Sequence, residues 1–130
     1  MGFTIYYTST RSITPQEAEA IRMAVQKECE GRSWFSCEPP GFFPDLQDGR
    51  LIGGSKPNFR PHPDDKRAAE SCGLPDGSLG DLLDILALLS REYAVDWELA
   101  HDYGPIGFIR VGIVDPRALA QIEAISAVAL

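Results

Sequence analysis

Between Ser78 and Tyr93 the chain sets leucine or isoleucine at positions 79, 82, 83, 85, 86, 88 and 89. Leu79, Leu82, Leu83, Leu86, Leu89 and Tyr93 recur at helical spacing, and Ile85 and Leu88 widen the stripe. A helix apolar around so much of its girth is buried on more than one side. Ser78 stands where an N-cap belongs, and Asp81 three residues later makes a short-armed capping box. At 130 residues a chain buries about two thirds of its unfolded surface. A single domain over residues 1–130, centred on this helix, is therefore expected.

The other periodicities supply its partners. Phe3 to Thr8 is β-branched and aromatic, with Phe3, Ile5 and Tyr7 on one strand face. Thr14-Pro15-Gln16-Glu17 is a helix start with cap, first-position proline and capping box. Ala18, Ile21, Val25 and Cys29 then share a stripe that ends before Gly31. Ser33 to Glu38 reads as a second strand, and Arg50 to Ser55 as a short one at an edge. Pro63 to Cys72 is a short helix stopped by Gly73. Val95 to His101 alternates, and Gly107 to Val114 puts Ile109, Val111 and Ile113 on one face. These two pair as an antiparallel hairpin, with Arg110 opposite Asp96 or Glu98. Asp115-Pro116 starts a last helix with Leu119, Ile122, Ile125, Val128 and Ala129 on its apolar side.

The predicted order is β-α-β-β-α-α-β-β-α. That order belongs to the α+β class, with a single mixed or antiparallel sheet and helices packed mainly on one face. The first βαββαβ portion has the element order of a ferredoxin-like core.

Charge narrows the range of partners. There are 19 acids against 12 bases, a net charge of −7. Binding phosphates requires clustered positive charge, and the densest basic pair, Lys66-Arg67, follows two aspartates. Nucleic acid is not an expected partner. A membrane is not expected either, because the apolar run Leu82 to Leu89 is broken by Asp84 and too short to span. Cys29, Cys37 and Cys72 contain no Cys-x-x-Cys pair, so reduced thiols in the cytoplasm are expected. Met1 to Tyr6 lacks the basic and apolar regions of a signal peptide.

Pro61-His62-Pro63-Asp64-Asp65 groups an imidazole with two carboxylates, and the other histidine, His101, precedes Asp102. Imidazole nitrogen and carboxylate oxygen suit zinc. The string resembles the zinc-binding motif of the de-N-acetylase family, which includes deacetylases of N-acetylglucosamine conjugates. The resemblance implies a zinc-dependent hydrolase with His62 and Asp65 as ligands, Asp64 as base and His101 as third ligand. It covers five residues. Lys56-Pro57-Asn58-Phe59-Arg60 replaces that family's apolar strand, and Lys66 stands where the family has Glu. The same residues also start a helix, with Pro63 first and both aspartates in the turn favoured by the helix dipole. On that reading no cofactor is held.

Pro39 to Pro63 holds six of the ten prolines. Long irregular stretches in compact domains are often functional. Phe42 and Phe43 within it, Trp34 just before it, and His101 and Tyr103 in the turn His101 to Pro105 are the candidate binding residues. Gly53-Gly54-Ser55-Lys56 lacks P-loop order and reads as a bulged strand end. Leu51 to Phe59, Pro61 to Asp65, Leu74 to Gly77 and Val95 to Glu98 are similar to segments of small bacterial proteins with no assigned function. That resemblance implies no site. A non-enzymatic binding or regulatory role is expected, with another protein or a small ligand as partner.

Overall fold

The computed structural model describes residues 4–57 and 63–129, excepting the side chains at 65, 66, 69 and 126–129. Phe3, Phe59, His62 and the side chains of Asp65, Val128 and Ala129 lie outside the described residues.

The leucine-dense helix, Leu79–Tyr93, forms as its caps dictate. Ser78 Oγ accepts the Asp81 N–H at 3.3 Å, and Asp81 Oδ2 accepts the Ser78 N–H at 2.9 Å. Leu82, Leu86 and Leu89 are each 0% exposed. Burial extends to Leu83, Ile85, Ala87 and Ser90, so the helix is enclosed on more than one side. An earlier helix, α1 (Pro15–Cys29), carries the Thr14/Glu17 capping box and buries Ala18, Ile21 and Val25. Arg11 joins the two helices. Its guanidinium pairs with Glu17 and donates to the carbonyls of Tyr93 at 2.8 Å and Ala94 at 3.0 Å.

Five strands follow the pattern β1 (Ile5–Ser9), β2 (Ile52–Ser55), β3 (Trp97–His101), β4 (Gly104–Arg110) and β5 (Ile113–Val114). The exposed helix α2 (Pro63–Cys72) and the leucine-dense helix, now α3, connect β2 to β3, and α4 (Pro116–Ala129) ends the chain. The sheet order is β2-β1-β3-β4-β5, with every neighbouring pair antiparallel. Thus β2 and β3 run the same way with β1 between them, a split crossover. A ferredoxin-like core has a second such unit. Here the strand after α1 instead lies directly beside β1.

One sheet face, with Ile5, Tyr7, Leu99, Trp97 and Ile109, joins α1, α3 and the α4 residues Ala118 and Ile122 in one core. Trp97 Nε1 donates to the Leu86 carbonyl at 3.0 Å, locking sheet to helix. The opposite face carries Tyr6, Thr8, Glu98 and Arg110, which are half-buried or exposed.

Three expectations need correction. Ser33 to Glu38 is not a strand; only Cys37 makes an isolated bridge, to Pro57. The reason is Trp34, whose φ of 57° breaks extended backbone. Second, Gly107 to Val114 is not continuous. Val111 and Gly112 have φ of 51° and 76° and form a two-residue hairpin turn between β4 and β5. Ile109 is buried, whereas Val111 is 75% and Ile113 69% exposed. Third, Arg110 opposes Ile113 and lies over the Phe108 ring at 4.0 Å, while Phe108 opposes Glu98.

A β-branched residue at positive φ is strained. Asp96 Oδ1 holds Val111 there by accepting its N–H at 3.0 Å, and Ser90 Oγ accepts the Gly112 N–H at 3.0 Å. Because Val111 buries little, Val111→Asn should raise stability by about 1 kcal/mol. An upward shift of the urea midpoint at unchanged m-value checks this.

Candidate functional site

The proline-rich stretch begins as a strap along the outer side of β2. Trp34 puts its ring against Gly77, where an added Cβ would lie 2.3 Å from it, and its Nε1 donates to the Cys29 carbonyl at 2.9 Å. Asp76, in the turn before α3, holds the next residues. Its carboxylate accepts the N–H groups of Phe35 at 2.7 Å and Ser36 at 2.9 Å, and the Ser36 hydroxyl as well. Burial raises the Asp76 pKa, but these hydrogen bonds outweigh burial and hold it below the ordinary carboxylate range.

From Cys37 the strap runs beside β2. Glu38 N–H donates to the Lys56 carbonyl at 3.0 Å, and Phe43 N–H to that of Ile52 at 2.8 Å. In between, Pro39 and Pro40 have no N–H to offer. Gly41 turns inward to Tyr7, which is fully buried. The Tyr7 hydroxyl donates to the Gly41 carbonyl at 2.6 Å and accepts the Gly41 N–H at 2.9 Å. Its one proton is thereby committed, so Ser55 Oγ donates in their 3.1 Å contact. The Phe42 ring stacks on Trp97 at 5.4 Å and meets Tyr7 edge-on at 5.4 Å. Beyond it, Arg22 Nη2 donates to the carbonyls of Phe43 at 2.8 Å and Pro44 at 2.9 Å.

This separates the candidate aromatics. Trp34 and Phe42 spend their rings on packing. Phe43 is 43% and Tyr103 87% exposed. His101 is half-buried; its Nδ1 accepts the Tyr103 N–H at 3.1 Å, and the two rings meet at 5.9 Å. Phe43 sits at the Ile52 end of β2, and Ile52 opposes Thr8. His101 opposes Ile5. Three strand residues, about 10 Å, separate these ends, so Phe43 and the turn are distinct patches.

Of the zinc constellation, Asp64 stands in the first turn of α2 and pairs with Arg67. His62 and the Asp65 side chain lie outside the described residues. Among the described residues no group of three His, Cys, Asp or Glu side chains is arranged to hold a metal ion. Nor is any helix among them long and apolar enough to cross a membrane.

Tyr7, Arg22 and Asp76 were not singled out by sequence as the residues that fix the strap. Tyr7 alone carried a signal, since a tyrosine on a buried strand face needs a partner for its hydroxyl. Burial pushes its phenol up to about 12, against hydrogen bonds from Ser55 and Gly41 that lower it. Burial also pushes the Cys37 thiol up to about 12 and Cys29 to about 11. These groups stay protonated in the folded chain after the unfolded chain has released its protons. Their stabilisation is complete below the unfolded pKa values and is lost as pH rises through the folded ones. For Tyr7 the window runs from 10.0 to about 12, with a slope of about 1.4 kcal/mol per pH unit. Tyr7→Phe takes the hydroxyl partner from both half-buried Gly41 groups and should cost about 2 kcal/mol at neutral pH. It should also flatten the alkaline loss of stability across that window. Urea titrations at neutral and alkaline pH measure both effects.

No family model, curated protein or solved structure matches this chain.

Proposed function

We propose that this protein is a small cytoplasmic binding or regulatory module, without catalysis of its own, that engages another protein or a small ligand through the strap. The observation that carries the reading is a rigid loop presenting an exposed aromatic. Tyr7, Arg22 and Asp76 fix the backbone on either side of Phe43, yet Phe43 remains 43% exposed. A recognition element held in advance loses little entropy on binding. An aromatic anchor with few rotatable bonds is the residue type that dominates such surfaces. Tyr103, 87% exposed, offers a second contact at the far end of the sheet. The net charge of −7 argues against nucleic acid as the partner. Three free thiols fit a reducing compartment.

The test is crosslinking in cell extract, followed by affinity measurement with the captured partner. Phe43→Ala should weaken binding by about tenfold or more, with the melting curve unchanged. Phe43→Ala and Tyr103→Ala both retaining wild-type affinity would sink the reading.

A further inference from the structure

A sheet whose last strand is flat and open invites pairing with another chain. On its inner side β2 pairs with β1, and on its outer side, among the described residues, it meets the strap. Its sequence, Ile52-Gly53-Gly54-Ser55, puts two glycines at the centre and so leaves the backbone unobstructed. The strap meets that edge at both ends, through Cys37 opposite Pro57 and Phe42 opposite Gly53. Its middle, Pro39-Pro40-Gly41, lacks two N–H groups and directs the third into the core. It therefore occupies the edge without becoming a strand on which another could be added. At the other end of the sheet, β5 is only two residues long and closes the second edge differently.

We infer that the strap Cys37–Phe43 is an edge guard that keeps β2 from pairing with β2 of a second copy of this chain. The carbonyls of Ile52 and Lys56, now taken by Phe43 and Glu38, are the groups such pairing would use. Antiparallel pairing of Ile52–Ser55 with itself brings glycine against glycine, which no side chain opposes. The partner is an identical chain because releasing the strap exposes the same edge on every copy. This role is independent of recognition at Phe43, since its readout is mass and not partner capture.

The experiment frees the strap while leaving every fully buried core residue in place. Arg22→Ala combined with Asp76→Ala removes both flanking clamps, and Phe42→Ala combined with Arg22→Ala lifts the ring as well. Light scattering across a concentration series reads the mass. Wild type should keep the mass of one chain, while the freed variants should rise toward twice that mass. A synthetic peptide of residues 36–44, added in excess, should return them to a single chain. Circular dichroism identifies a variant that has unfolded, and the milder pair then decides. A single-chain mass in every folded variant overturns the inference, as does association that the peptide fails to reverse.

Discussion

Gly53→Ala is expected to destabilise the protein by about 3 kcal/mol, or to prevent folding. Replacing glycine by alanine inside a strand normally helps by about 0.5–1 kcal/mol, because glycine loses the most conformational freedom on folding. Here the sign reverses. A Cβ on Gly53 would lie 2.0 Å from the Gly41 carbonyl oxygen and 2.4 Å from the Tyr7 ring. Neither can yield. Gly41 is fixed by two hydrogen bonds to Tyr7, and Tyr7 is fully buried against the edges of Phe42 and Trp97. The neighbouring glycine is the control. A Cβ on Gly54 meets only side-chain atoms, the nearest being the Tyr6 ring at 3.2 Å. Gly54→Ala should change stability by less than about 1 kcal/mol. Denaturant titration of the two variants side by side gives the contrast, and equal effects would contradict the packing described.

Leu86→Ala should cost about 3–4 kcal/mol. Leu86 is 0% exposed, on the helix that touches both α1 and the sheet. Its carbonyl also accepts the Trp97 indole, so the cavity opens where sheet and helix are pinned together. Leu88, on the same helix but half-buried, should cost well under half as much when cut to alanine. Similar losses at both positions would mean that α3 is less deeply enclosed than its burial pattern indicates.

The parts of the fold legible in sequence were those where one local rule decides. Thr14 with Glu17, and Ser78 with Asp81, cap helices through their own neighbours, and the structure has both boxes. The leucine spacing required an enclosed helix, and Leu82, Leu86 and Leu89 are sealed. The illegible parts depend on distant residues. Trp34, Phe35 and Cys37 have strand-forming side chains, but Asp76, some forty residues later, takes the backbone donors of Phe35 and Ser36 and sets a different path. Val111 looks like strand interior because β-branched residues favour strands. Asp96 and Ser90 fold it into a turn instead. At the candidate site, sequence marked the proline-rich stretch and its aromatics. It did not separate Phe42, which packs, from Phe43, which is presented. Alternation along an irregular segment follows no period, so only the contacts of Gly41 with Tyr7 settle which ring turns inward.

The most direct test of a strap built into the core is native-state hydrogen exchange at the Gly41 amide, which donates to the buried Tyr7 oxygen at 2.9 Å. Protection matching that of the β1 and β3 amides, with opening only on global unfolding, is the predicted result. Exchange at the rate of an unprotected loop would contradict the account.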